Sequence, residues 1–133
     1  MPKKDCPAEE YEDASWVGPD GAGAGEVRAQ SLRVAVSDGA TESFLAGRWA
    51  KSLAATFGSA RASTRTKEGF IEAYREATEG WSPVVDQYVS ERDARAAPIQ
   101  WYEEPGLAKG AHATIVAVEF FDGRRGQRPF WRA

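Results

Sequence analysis

Residues 31–43 read Ser-Leu-Arg-Val-Ala-Val-Ser-Asp-Gly-Ala-Thr-Glu-Ser, and this stretch decides the fold. Its first seven residues are apolar and β-branched enough for a buried strand, which Asp38-Gly39 closes. A helix is expected immediately afterwards. Thr41 or Ser43 can cap its start, and Glu42 stands where the helix dipole favours an acid. Leu45, Trp49, Leu53 and Phe57 then recur every four residues until Gly58 ends the pattern. A strand running straight into an amphipathic helix places Asp38 at the seam between them.

Toward the N-terminus, residues 11–17 (YEDASWV) read as a short strand, and the run Gly-Ala-Gly-Ala-Gly at 21–25 as a loop. Two strands joined by a glycine-rich loop predict an antiparallel hairpin. The loop is no phosphate cradle, because a strand rather than a helix N-terminus follows it. Residues 1–9 are polar and irregular, with Pro2 and Pro7 against a helix.

Toward the C-terminus, residues 59–66 are a loop and Thr66 is expected to cap a second helix. Its apolar stripe is Phe70, Ile71, Tyr74, Ala77 and Trp81, and Gly80 stops it. Ser82-Pro83 reads as N-cap and first-turn proline of a third helix, with Val84, Val85, Tyr88 and Val89 inward. Residues 99–108 form a short amphipathic piece that Pro105 interrupts. Residues 112–121 (HATIVAVEFF) are the strongest strand, 122–126 a turn, and 128–133 the start of another strand. Strand, strand, helices, strand, strand predicts an α+β class, with a helix layer on a mostly antiparallel sheet. Residues 1–133 are read as a single domain. Its last strand stands in mid-pattern at Ala133, so the domain is expected to be incomplete.

Composition narrows the chemistry. The chain has 133 residues, 42% hydrophobic and 28% charged, enough for one core. No run has the apolar length of a membrane span and the N-terminus lacks a hydrophobic signal segment, so a cytoplasmic location is expected, without a membrane partner. A net charge of −3 with mixed signs argues against nucleic acid. The single cysteine, Cys6, allows no internal disulfide, and the single histidine, His112, no zinc site of the usual His/Cys kind. Carboxylates, hydroxyls and backbone remain.

Among the carboxylates, Glu12-Asp13 and Asp38-Gly39 are the candidates. Adjacent acids on a strand point to opposite faces, so taken alone Glu12 and Asp13 read first as solvated charges on an edge strand. Asp38-Gly39, taken alone, reads first as a turn with a helix-proximal cap. Taken together they change meaning. If the hairpin forms, Asp13 or Glu12 lies near the same end of the sheet as Asp38. Like charges gathered there repel unless a cation sits between them. The Gly39 carbonyl adds a hard oxygen donor of the kind magnesium and manganese prefer. His112 receives no role, Cys6 and Arg124-Arg125 none, and the five tryptophans are expected in the core.

The residues Glu-Tyr-Glu-Asp-Ala at 10–14 and Val-Ala-Val-Ser-Asp-Gly-Ala-Thr-Glu-Ser at 34–43 resemble the metal-dependent type-2C (PPM-type) serine/threonine phosphatases, most closely their bacterial branch. Pro-Ile-Gln-Trp-Tyr at 98–102 and Lys-Gly-Ala-His-Ala-Thr-Ile-Val-Ala-Val at 109–118 are similar to later segments of that family. The resemblance implies a β-sandwich of two antiparallel sheets flanked by helices, with two Mg2+ or Mn2+ ions at one edge. Glu12 would match a ligand of one ion, Asp38 the carboxylate bridging both, and the Gly39 carbonyl a further ligand. Asp13 would match the acid that orients metal-bound water. The implied activity is hydrolysis of phosphoserine or phosphothreonine in protein substrates. Three departures stand beside it: Ala8, Glu9 and Glu10 where the family places a phosphate-binding arginine, Ala40 where some members carry a histidine, and no counterpart of the family's later metal aspartates. The chain would hold half of a binuclear site, be a weak or inactive catalyst alone, and need a second chain over its open sheet edge. The alternatives are a non-catalytic interaction domain that keeps the scaffold, and an unrelated α+β domain.

Overall fold

The computed structural model describes residues 12–18, 31–41, 43–59, 66–121 and 128–133. The expected irregular segment 1–9, the glycine run 21–25, Cys6, Glu42 and the turn 122–126 lie outside the described residues. In chain order the elements are β1 (Asp13–Val17), β2 (Ser31–Gly39), α1 (Ala46–Ser59), α2 (Lys67–Glu79), α3 (Trp81–Ala94), α4 (Glu104–Lys109), β3 (Ala113–Phe121) and β4 (Phe130–Arg132). The strands form one antiparallel sheet in the order β1-β2-β3-β4. Mixed α and β structure and the hairpin partnership of β1 with β2 are as expected. Among the described residues there is a single sheet, with helices on one face.

Alternation along the strands explains which face they cover. Ala14, Trp16, Ala35, Ser37, Gly39, Ala113, Ile115 and Ala117 share one face by register. Most are small, so a helix can approach closely. Helix α1 lies there, burying Trp49, Leu53 and Phe57 against Ala35, with Ala73 and Ala77 of α2 completing the core. The contact between α1 and β1 is tightest at Gly58, where a Cβ would stand 2.3 Å from the Trp16 ring. Gly58 therefore serves packing inside α1, which runs on to Ser59, rather than ending the helix. Ser37, fully buried, donates its hydroxyl to the Thr114 carbonyl at 2.6 Å and so leaves no unpaired polar group in the core.

Several helix details differ from expectation. Helix α1 begins at Ala46, not at a Thr41 or Ser43 cap, because the Ser43 hydroxyl accepts the His112 amide at 2.6 Å instead. Leu45, expected in the helical stripe, precedes the helix with φ 60°. Thr66 caps α2 as predicted, accepting the Gly69 amide at 3.0 Å, and Gly80 closes it. The buried stripe of α2 is Gly69, Ala73 and Ala77, while Phe70, Ile71 and Tyr74 stay about half exposed. Small residues let α2 lie close on α1, and the larger ones flank the seam: Phe70 meets Phe57 and Tyr74 meets Trp49 edge to face.

Helix α3 starts at Trp81, so Ser82 is no cap, and none of its residues is fully buried. It is held by Trp81 against Trp49 and by the Arg48–Glu91 ion pair, which keeps the Glu91 carboxyl below its ordinary range. Arg92 reaches back over the next turn to Glu103 at 3.1 Å and to the Ala97 carbonyl at 2.6 Å. That clamp carries Trp101 out to 79% exposure, and Trp131 on β4 is 65% exposed. Two of the tryptophans expected in the core are thus on the surface. Pro105 sits in the first turn of α4, where its missing amide costs nothing, and does not interrupt it.

Candidate functional site

The carboxylates meet at the end of the sheet where β2 leads toward α1. Asp13 is the direct cross-strand partner of Asp38. The Gly18 amide donates to the Arg33 carbonyl at 3.0 Å and the Gly39 amide to the Glu12 carbonyl at 3.1 Å. Hydrogen-bonded pairs therefore fall at 18–33 and 12–39, and by alternation Asp13 and Asp38 form a non-hydrogen-bonded pair. In such pairs the two side chains stand closest, on the same face of the sheet. Both are exposed, on the face opposite α1.

Gly39 sets the closeness of this end. A Cβ there would lie 2.7 Å from the Glu12 carbonyl oxygen and 2.9 Å from the backbone of Ala46. Only glycine lets the strand end, the start of α1 and the Glu12 backbone converge. Glu12 itself precedes β1, one residue out of phase with Asp13, and is half-buried. Its carbonyl ties Gly39, and its charge is felt at Asp38.

The electrostatics follow from this placement. The Asp38 carboxyl is raised above its ordinary value, chiefly by a hydrogen bond with Asp13. The Asp13 charge, partial desolvation and the Glu12 charge all push it the same way. Facing carboxylates that cannot both ionise freely hold a proton between them or take up a cation. The donor set is oxygen alone, which suits a hard divalent ion, and magnesium commonly uses one or two carboxylates and fills its remaining positions with water. Among the described residues no cluster of three or more His, Cys, Asp or Glu side chains could hold a metal ion. Asp13 and Asp38 are brought together; a three-carboxylate cage with Glu12 is not.

Two polar residues that the sequence left without a role lie beside the pair. Thr114 is the partner of Asp38 on its other side, so Asp13, Asp38 and Thr114 stand in one row across three strands. The Ala40 amide donates to the His112 carbonyl at 2.9 Å, extending the β2–β3 ladder one residue beyond Gly39↔Ala113. A strand register read across HATIVAV would have found both, had the offset between β2 and β3 been known.

Apart from Ser15, the rest of this face is apolar. Val17, Val36, Val116, Phe120 and Trp131 are each exposed by 44% or more and share the face of Asp13 and Asp38. No helix among the described residues is long and apolar enough to cross a membrane. Comparison with known proteins returns no matching family model, no matching curated protein and no matching solved structure.

Proposed function

We propose that this chain carries part of a divalent-metal-dependent phosphatase site that hydrolyses phosphoserine and phosphothreonine esters of protein substrates in the cytoplasm. One observation carries the reading: Asp13 and Asp38 face each other across the non-hydrogen-bonded register, beside a glycine that nothing larger can replace. Asp38 would be the carboxylate that holds Mg2+ or Mn2+, with the Gly39 carbonyl as a further oxygen donor, while Glu12, out of phase with Asp13, would add its negative charge nearby. When bound, such ions lower the pKa of water and polarise phosphoryl oxygens. Asp13, on the edge strand, would orient the attacking water and hold its proton. With so few side-chain ligands, affinity is weak and turnover slow unless a second chain completes the site.

The test is manganese-dependent hydrolysis of p-nitrophenyl phosphate by the wild type and by Asp38→Asn, with calorimetric titration of manganese. Expected are binding at about millimolar affinity and a loss of on the order of 100-fold or more in the variant, the scale seen when a group acting on transition-state charge is removed. Turnover indifferent to the substitution or to chelator overturns the reading. A second reading, a non-catalytic protein-interaction domain, is favoured by the uncovered apolar face around Val36 and Val116. It predicts that Val116→Glu abolishes partner capture while chelator has no effect on it.

A further inference from the structure

We propose that the open face of the sheet pairs with the same face of a second copy of this chain, an inference that rests on the interaction reading of that face and asks nothing of a metal. Three rows across the strands compose it: Ser15–Val36–Val116, Val17–Val34–Val118 and Leu32–Phe120–Trp131. Eight of these nine residues are apolar, none is charged, and only Ser15 is polar. Val17, Val36, Val116, Phe120 and Trp131 alone leave roughly 500 Å² open, with Leu32, Val34 and Val118 half-buried between them. Together the rows reach roughly 600 Å², the upper end of the contiguous apolar surface that a lone molecule keeps uncovered. Two such faces would bury roughly 1,200 Å², the lower edge of what a stable dimer needs.

The shape of the rows selects a sheet as the occupant. The face under α1 accepts a helix because Ala35, Ser37, Gly39, Ala113 and Ala117 are small. The open rows are valine, leucine and aromatic, which fill the wider gap of about 10 Å between packed sheets. Packed sheets also need matching twist, and a second copy has it by identity of sequence. A foreign partner is selected by charge and hydrogen bonding, and these rows offer only the Ser15 hydroxyl. Charge does fix how the copies lie. A two-fold axis along the middle row, Val17–Val34–Val118, sets Val116 of one copy over Phe120 of the other, and the reverse. The row Asp13–Asp38–Thr114 then projects beyond the contact at both ends. Asp38 follows Val34 by four residues, so the two acid rows stand about 27 Å apart, where salt screens their repulsion. An axis along the strands would instead stack four carboxylates.

The test is sedimentation velocity on the full chain from about 5 to about 500 µM, because the dimer fraction follows mass action. The interface is small, so a dissociation constant of about 10–100 µM is expected. At the few-micromolar concentration of an unfolding experiment the chain is then mostly single and the face open. Val116→Glu should weaken association by about 10-fold or more, and Trp131→Ser, at the corner of the face on the short strand β4, by a similar factor. Should the charged variant not fold, the tryptophan variant decides. Ile71→Glu charges the exposed apolar side of α2 instead and should change nothing. A chain that stays monomeric throughout, association that survives both face substitutions, or association lost with Ile71→Glu overturns the pairing. Marked tightening in NaCl would mean that the acid rows face each other, and it overturns the two-fold arrangement. Binding of the apolar dye ANS separates this proposal from the reading beneath it. A monomer that binds ANS, and loses it in Val116→Glu, overturns the pairing but leaves the face as a site for another protein. A monomer that binds none removes the interaction reading as well.

Discussion

The two faces of the sheet are made of alternate residues of the same strands, yet they are built to different rules. The face under α1 is lined by small side chains, Ala14, Ala35, Ser37, Ala113 and Ala117, with Trp16 fitted against Gly58. The opposite face carries Val17, Val36, Val116, Phe120 and Trp131, all substantially exposed, and ends in Asp13 and Asp38. Small residues bring a helix close; large β-branched ones suit the wider spacing between packed sheets. Stability therefore sits on one face, and the groups that can act on other molecules sit on the other. Substitutions that distinguish the faces test this division.

The largest effect is expected at Phe57, which is 1% exposed and central to the covered face. Phe57→Ala should cost about 3–5 kcal/mol, measured by urea unfolding, through lost burial and the cavity left behind. A value below about 1 kcal/mol would mean that this face is not the core. Gly58→Ala comes next. In an open helix the change would help by about 1 kcal/mol. Here the added methyl meets Trp16, so the expectation is a net loss of about 1–3 kcal/mol from overpacking. Reversal of the sign in a Trp16→Ala background would identify the ring as the cause.

Much of this division was legible in the sequence, and the illegible part has physical causes. The near-continuous apolar runs of β2 and β3 read correctly as strands, and Thr66 as a cap, because both signals are local. Which residue faces which is not local. A one-residue slip would turn Asp13 away from Asp38, and the long connection between β1 and β2 does not fix register as a two-residue turn would. The start of α1 was misplaced because the Ser43 hydroxyl is taken by His112, 69 residues further on. The stripe of α2 was misplaced because its alanines and glycine pack, while Phe70 and Tyr74 flank the seam. Trp101 and Trp131 reached the surface because nothing in the described residues lies over their side of the chain. For the site, the hairpin puts Glu12 or Asp13 near Asp38 from sequence alone; that Asp13 is the partner depends on the β1–β2 register, and the row that adds Thr114 on the β2–β3 offset.

A smaller effect, of opposite sign, is expected on the open face at Asp38. Its carboxyl titrates above the ordinary value, so the folded chain holds that proton more tightly than the unfolded one. This contribution is fully present below the unfolded value and is lost as pH rises through the folded one. At neutral pH the pair is a liability. Asp38→Asn should raise the melting temperature of the metal-free chain at pH 7, and the advantage should disappear as pH falls below the ordinary carboxylate range. A variant less stable at pH 7 would show that the two acids do not oppose each other.

The smallest effect is the sharpest statement about the open face. Val116 lies in the middle of β3, flanked by residues that are buried or half-buried, yet it is 57% exposed. Val116→Thr keeps the β-branched shape and strand propensity and exchanges one methyl for a hydroxyl. In a buried strand that hydroxyl would need a partner and would cost about 1–3 kcal/mol without one. On an uncovered face it is hydrated, and the change in unfolding free energy should stay within about 0.5 kcal/mol. A loss of buried-site size that deepens with protein concentration would mean that the face is already covered in solution, by a second molecule whose contact the threonine disrupts.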